Sequence, residues 1–117
     1  MYQYQPMRSP LSSSPENRIY SLESDLTEKV ADYLDSLRGV KWTKISDRYN
    51  KGVSDILASV NGIYTAIELK AEGNVATMHQ LVFIDEVIKS GGIGGVCYCL
   101  YEVKQLIEAA RNKHRSG

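Results

Sequence analysis

The segment SDILASVNGIYTAIELK, residues 54–70, constrains the fold of this chain more than any other part of its sequence. Two apolar runs flank the Asn-Gly dipeptide at 61–62, and this pattern is the strongest short-range signal for a β-hairpin. A two-residue type I′ turn needs a positive φ at both central positions, which Asn and Gly tolerate. If the turn lies there, the strands pair in a register that sets Asp55 directly opposite Glu68.

Two opposed carboxylates are destabilising, because directly opposed Cβ atoms lie about 4.5–5.5 Å apart. Strand alternation places Glu68 and Lys70 on one face of the hairpin, and Asp55 shares it. One interpretation is a solvated face on which Lys70 offsets the repulsion. The other is a divalent cation between the carboxylates, since Mg²⁺ and Mn²⁺ prefer oxygen ligands. Lys70 beside such a cation could help to deprotonate a water or stabilise a pentavalent phosphorus, as phosphodiester hydrolysis requires.

The remaining pattern predicts an α/β domain with a mixed sheet flanked by helices, in the order α-β-β-β-α-β-α. The predicted helices span 21–38, 77–90 and 103–113, and the predicted strands span 40–45, 54–60, 63–69 and 94–101. Ser21 is the expected N-cap of the first helix, and Gly39 its expected stop.

The first 20 residues differ in composition from the rest. Pro6, Pro10 and Pro15 are expected to exclude regular structure there. The chain therefore divides into an N-terminal arm, residues 1–20, and a single domain, residues 21–117. The arm is also rich in tyrosine and other apolar residues, so it has enough apolar surface to pack against something.

Charge and cysteine content limit the class of protein only loosely. Lys and Arg number 14 and Asp and Glu number 14, and this zero net charge is a weak argument against a nucleic-acid-binding protein. Two cysteines without metal-ligand spacing indicate a reducing, cytoplasmic setting. No apolar run of about 18 residues predicts a membrane span.

Basic residues nevertheless cluster before Asp55. The cluster contains Arg38, Lys41, Lys44, Arg48 and Lys51, opposed by Asp47 alone. Its position makes contact with DNA phosphates as plausible an interpretation as a solvated surface, above all for Lys44, Arg48 and Lys51. A second basic group, Arg111, Lys113 and Arg115, is interpreted as solvated surface.

These residues also match a family. The run Gly-Val-Ser-Asp at 52–55, then Glu-Leu-Lys at 68–70, then Gln80, after a helix that bears Glu, resembles the PD-(D/E)xK nuclease superfamily. The match is closest to its virus-type replication-repair nuclease (VRR-NUC) branch and covers about residues 21–101. Ser54 stands where the family usually has proline, which is not a ligand.

The resemblance implies a restriction-endonuclease-like mixed sheet with an α-β-β-β-α-β core. It implies a metal-dependent DNA endonuclease in which Asp55 and Glu68 bind Mg²⁺, with Mn²⁺ as the expected substitute, and Lys70 is the catalytic lysine. The family's first helix supplies a further acidic ligand. Glu23 is preferred over Glu28, because a helical wheel places Glu23 on the apolar side of the helix and Glu28 opposite. The alternative for Glu23 is a first-turn acid favoured by the helix dipole.

Gln80 has two interpretations, and one residue could satisfy both. The run Thr-Met-His-Gln at 77–80 fits a capping box, in which Gln at the third helical position bonds back to the N-cap amide. The family also carries Gln near its active site. A second Glu-x-Lys run, at 102–104, is rejected because it begins a helix and follows no Asp on a paired strand.

Small stand-alone members of this branch resemble Holliday-junction resolvases. Such enzymes work as homodimers, since a four-way junction needs two cuts and each chain here has one site. The expected function is thus an endonuclease for branched DNA in viral or prophage replication, recombination or repair. The alternatives are a flap, nick or duplex-specific nuclease, and a non-catalytic nucleic-acid-binding domain that retains the fold. The arm is expected to cross or buttress the dimer interface, or else to fold onto its own domain.

Overall fold

The protein is an α/β domain, described by a computed structural model over residues 14–46 and 52–116. Its four strands form one mixed sheet with helices packed on it, which confirms the predicted fold class at this level. In chain order the elements are a short 3-10 helix Pro15–Asn17, then α1 Glu23–Asp35, β1 Val40–Lys44, β2 Ile56–Val60, β3 Ile63–Leu69, α2 Met78–Lys89, β4 Ile93–Cys97 and α3 Leu100–Ser116.

The predicted hairpin forms in the predicted register. Asn61 has a φ of 50° and Gly62 a φ of 85°, so both central residues of the turn lie in the left-handed region. Ile56 pairs with Ile67 in the antiparallel ladder of β2 and β3. Extending this ladder by one residue sets Asp55, which directly precedes β2, opposite Glu68.

The sheet has the order β1-β2-β3-β4, in which β4 runs parallel to β3 and the other pairs are antiparallel. A parallel neighbour needs a crossover connection, and α2 supplies it. Helices α1 and α3 cover one face of the sheet and enclose the main apolar core, which includes Leu26, Val30, Ile67, Leu106 and Ile107.

Helix α2 covers the other face of the sheet. A Cβ atom built on Gly94 would lie 3.2 Å from Ile84 of α2 and 3.4 Å from the Cβ of Ala66. Because Ala66 alternates with the core residue Ile67, α2 lies on the sheet face that also carries Glu68. The second helix is therefore placed to reach the carboxylate pair.

Several predicted boundaries of helices and strands are wrong. Ser21 is not the N-cap of α1: Leu22 takes that position without a side-chain hydrogen bond, and the helix begins at Glu23. Helix α3 begins at Leu100 instead of residue 103, and β4 ends at Cys97 instead of residue 101. An acidic side chain causes this shift, because Glu102 Oε1 accepts a 2.7 Å bond from the Tyr98 amide just before the helix.

The described part of the arm, residues 14–20, packs against its own domain. Pro15 does not exclude regular structure as expected but begins the short 3-10 helix, where its fixed φ and missing N–H are tolerated. Tyr20 packs on the apolar core, and its carbonyl accepts a 2.8 Å bond from the Glu72 amide. Glu16 forms an ion pair with Lys104. Pro6, Pro10 and the rest of residues 1–13 lie outside the described residues. Across the described ranges, no helix is long and apolar enough to cross a membrane.

Candidate active site

Asp55 and Glu68 lie side by side at the end of the β2–β3 hairpin that is far from its turn. Glu68 is 1% exposed and Asp55 is half-buried. The Asp55 backbone N–H donates to Glu68 Oε1 at 3.3 Å, and the Leu69 N–H donates to Asp55 Oδ2 at 2.9 Å. These two bonds fix the carboxylates relative to the ladder, so the predicted juxtaposition of Asp55 and Glu68 is confirmed.

The charges of this pair are poorly balanced by the protein itself. Burial, and after it the adjacent Asp55 carboxylate, raise the pKa of Glu68 to about 8, and the Lys70 ammonium opposes them only in part. At neutral pH the site therefore favours a proton, or another cation, on Glu68. The atoms of Asp55 and Glu68 that could bind a metal are carboxylate oxygens, which suit Mg²⁺ or Mn²⁺.

Lys70 lies beside the pair, on the predicted face. Its Nζ is 3.5 Å from Glu68 Oε2, and its side chain is 13% exposed. The ammonium is therefore largely removed from bulk water but still open at the site. The rejected Glu-x-Lys run lies, as expected, in the first turn of α3, where Glu102 supports the start of the helix.

Gln80 takes part in the predicted capping box and also contacts the candidate site. Thr77 and Gln80 form a capping box at the start of α2, with Thr77 Oγ1 accepting from the Gln80 amide at 3.2 Å. The Gln80 Nε2 group donates to Glu68 Oε2 at 2.9 Å. The capping box is confirmed, and the same side chain contacts the carboxylate pair.

Glu23 is half-buried in the first turn of α1, and the sheet-facing orientation chosen for it agrees with this burial. Burial raises its pKa, Asp55 raises it further, and Lys70 and Lys44 lower it, so Glu23 lies within electrostatic reach of the site. Glu28 is exposed. Within residues 14–46 and 52–116, however, no three His, Cys, Asp or Glu side chains converge as a complete metal-binding group.

The predicted phosphate-binding cluster is described only in part. Lys44 is exposed at the last position of β1, and the next residue, Ile45, donates its N–H to the Asp55 carbonyl at 2.8 Å. Lys44 therefore stands at the same end of the sheet as the carboxylates. Arg48 and Lys51 lie outside the described residues.

The segment that leads into Asp55 packs tightly on α2. Gly52 has a φ of 90°, and a Cβ there would lie 2.6 Å from the carbonyl oxygen of His79, so only glycine fits this approach. Ser54, at the position of the family's proline, is fully buried, and its Oγ has no partner among the described residues. This close contact fixes the approach of Asp55 to the sheet.

A shallow cavity of about 320 Å³, which sequence analysis missed, opens on the same face of the sheet. Its lining includes Lys41, Ser59 and Tyr64, which are cross-strand partners in one row. Tyr64 is 45% exposed and lies on the face of Glu68, four residues along β3. The hairpin register could have predicted the pairing of Ser59 with Tyr64, although not the opening above it. Trp42 alternates away from this row and donates its Nε1–H to Asp35 at 2.8 Å.

Comparisons of the chain with protein-family models, with curated proteins and with solved structures give no significant match.

Proposed function

We propose that this chain is a metal-dependent endonuclease that hydrolyses phosphodiester bonds in branched DNA, with Asp55, Glu68 and Lys70 as its central residues. One observation carries the proposal: two carboxylates are held against each other, largely out of water, with an ammonium group 3.5 Å from one of them. Such a pair is costly for a stable fold unless another positive charge is shared between them. Cation-assisted phosphodiester hydrolysis uses all three groups.

The architecture supports the proposal. The order α1-β1-β2-β3-α2-β4 and the mixed sheet are those expected of a restriction-endonuclease-like core. The proposed site lies where β2 and β3 part, with α1 on one side and α2 on the other. The resemblance to the VRR-NUC branch rests on the same residues, Asp55, Glu68, Lys70 and Gln80.

The residues fit a hard divalent cation. Asp55 and Glu68 would hold it, and Glu23 would add negative charge or a ligand from α1. Mg²⁺ commonly takes only one or two carboxylates and completes its shell with water and substrate phosphate, so a third protein ligand is not required. When bound, the ion would activate water and polarise the phosphate.

The side chains around the pair have distinct roles. The Lys70 ammonium would stabilise the charge that develops on the phosphate oxygens, or orient a water for attack. Gln80 would keep Glu68 Oε2 in place, because its own position is fixed by the capping box. Lys44, Arg48 and Lys51 would bind DNA phosphates next to the site, of which Lys44 is placed suitably at the end of β1.

A non-catalytic nucleic-acid-binding domain is the second candidate, and a specific observation favours it. Both oxygens of Glu68 already have partners within the chain: Asp55 N–H for one, and Gln80 Nε2 with Lys70 Nζ for the other. A polar network satisfied in this way can serve the fold alone. The two candidates differ in whether the network binds metal and whether DNA is cut.

The proposed assembly is a homodimer, which would bring two sites to one junction. The contacts of residues 14–20 with their own domain leave residues 1–13 as the part of the arm that could reach a partner. Deleting residues 1–13 and measuring the mass by light scattering tests this role. A truncated protein that stays fully dimeric would exclude those residues as an assembly element.

The experiment for the function is a cleavage assay on a panel of junction, flap, nicked, duplex and single-stranded DNA, with and without Mg²⁺. We expect Mg²⁺-dependent cleavage of the junction that Asp55→Asn abolishes. The matched control is Asp32→Asn, the same chemical change at an exposed position of α1. Preference for flap, nicked or duplex DNA would select the alternative nuclease. Binding without cleavage of any substrate would select the non-catalytic domain.

A further inference from the structure

A second cavity, of about 310 Å³, lies at the turn end of the hairpin, opposite the carboxylate pair. All the ionisable side chains that line it are basic. Its lining consists of Arg38, Gly39, Asn61, Arg111, His114 and Arg115. The sequence separates the three arginines of this lining into two basic groups, interpreted in different ways, and the fold brings them to one cavity.

The cavity is built by the backbone and not by loose side chains alone. The guanidinium of Arg111 donates to the Arg38 carbonyl at 2.9 Å, which ties the end of α3 to the end of α1. The Asn61 amide donates to the Gly39 carbonyl at 2.7 Å, which ties the hairpin turn to the same point. Three chain segments therefore border the cavity, which is open to solvent.

The balance of charge leaves the cavity cationic. Arg111 and Arg115 are four residues apart on α3, where like charges repel. Glu108 opposes Arg115 at 3.5 Å, and Arg38 is without a carboxylate partner in the contacts of the described residues. Helix dipoles favour a cation at the end of each helix, but they do not require both ends to open on one cavity. A bound anion would balance the positive charges that meet at this cavity.

The position of the cavity relative to the carboxylates suits DNA. Helix α1 runs from Glu23, within electrostatic reach of the carboxylate pair, to Asp35, three residues before Arg38. Its 13 residues span about 20 Å at the usual helical rise. Successive base pairs of B-DNA are about 3.4 Å apart along the axis, so the separation corresponds to roughly six base pairs along the duplex.

We infer that the cavity lined by Arg38, Arg111 and Arg115 binds a backbone phosphate of the DNA roughly six base pairs from the scissile bond. Guanidinium groups suit this role because their donors match two phosphate oxygens at once. The identity of the ligand rests on the proposed function, and the existence of an anion site does not. The second contact would fix the direction of a duplex arm relative to the carboxylate pair.

The test measures DNA binding without cleavage. All variants carry Lys70→Ala and are assayed without divalent metal by fluorescence anisotropy, on a junction whose arms of about 12 base pairs exceed the separation twofold. The test variant is Arg38→Gln with Arg115→Gln. The control is Lys113→Gln, which removes a positive charge from the same turn of α3 but does not line the cavity. Arg38→Lys with Arg115→Lys replaces the same two side chains but keeps their charge, so it separates the effect of lost charge from other effects of the substitutions.

We expect the test variant to bind more weakly and to lose about 0.9 units of the slope of log K against log salt for each phosphate contact removed. The lysine variant should keep the slope. A slope equal to that of Lys113→Gln would overturn the inference. If tripolyphosphate displaced the DNA at concentrations below those of the DNA itself, the occupant would be a small polyphosphate and not DNA.

The outcomes also separate this inference from the proposed function. If the protein without Lys70→Ala cuts none of the panel substrates but the slope changes as expected, the phosphate site stands and the nuclease proposal fails. If the protein cuts junctions and the slope is unaltered, the nuclease proposal stands and the phosphate site fails.

Discussion

Gln80 connects the N-terminus of α2 to the buried carboxylate of Glu68. Its Oε1 accepts a 2.9 Å bond from the Thr77 amide, and its Nε2 donates a 2.9 Å bond to Glu68 Oε2. Because the capping box uses the oxygen of the side-chain amide, the nitrogen is left to face the carboxylate. The start of a helix thus orients a residue of the candidate site.

This relationship predicts different costs for two substitutions in the same cap. Thr77→Ala removes the cap alone and should lower the free energy of unfolding by about 1 kcal/mol. Gln80→Ala keeps the bond from the residue 80 backbone N–H to the Thr77 hydroxyl but removes the reciprocal bond from the Thr77 amide. It also leaves Glu68 Oε2 short of a donor, so it should cost about 1 kcal/mol more than Thr77→Ala and lower cleavage. Urea denaturation and the cleavage assay measure the two effects. Equal stability and equal activity of the variants would show that the bond to Glu68 has no role beyond the cap.

The hairpin could be predicted from the sequence because its signals are local. Asn61 and Gly62 specify the turn, and the turn fixes every cross-strand pair up to Asp55 and Glu68. The choice of Glu23 over Glu28 followed from helical periodicity in the same way. Both predictions depend on residues that are close in sequence, within one hairpin or one helix.

The features that the sequence did not predict depend on distant or unusual contacts. Arg111 and Arg38 are 73 residues apart, so no local pattern links them. The early start of α3 depends on Glu102 reaching back to Tyr98, after an apolar run that is also typical of a strand. Leu22 occupies an N-cap position that side-chain preferences would assign to Ser21.

The raised pKa of Glu68 predicts a pH dependence of stability in the metal-free protein. Below the ordinary value of 4.5 the carboxyl is protonated in both states and costs nothing. As the pH rises from 4.5 to about 8, the unfolded chain releases the proton while the folded chain retains it. The unfolded state is therefore favoured, and the free energy of unfolding falls. Each pH unit within that window should cost up to about 1.4 kcal/mol.

Glu68→Gln should remove this dependence, because the amide does not titrate. Urea denaturation in chelator at pH 5 and pH 8 measures it, with Glu86→Gln on the exposed side of α2 as the control. We expect the variant to gain stability relative to the original protein at the higher pH only. A constant difference between the two pH values would contradict a raised pKa.

Metal binding should reverse the repulsion between the two carboxylates. We expect Mn²⁺ to bind in calorimetry and to raise the melting temperature, since a ligand that binds only the folded state stabilises it. Asp55→Asn should abolish both effects, while Asp32→Asn should preserve them. A melting temperature that rises equally in Asp55→Asn would locate the Mn²⁺ elsewhere.

Lys70 should separate catalysis from binding. Lys70→Ala removes a charge that is useful mainly when charge develops in the transition state, so cleavage should fall by about 10²–10⁴-fold with DNA affinity nearly unchanged. Lys29→Ala, at an exposed position of α1, is the matched control. A loss of affinity as large as the loss of cleavage would assign Lys70 to phosphate binding.

Glu23 and Glu28 form a matched pair on one helix that tests the third acidic residue. Burial and Asp55 both raise the pKa of Glu23, so its charge acts on the site, whereas Glu28 is exposed on the other side. Glu23→Gln should weaken Mn²⁺ binding and cleavage by about 10–100-fold, as expected for a group in or next to the coordination shell. Glu28→Gln should change neither. If Glu23→Gln alters only the stability, by about 0.3–1 kcal/mol, then Glu23 serves the dipole of α1 and the metal depends on Asp55 and Glu68 alone.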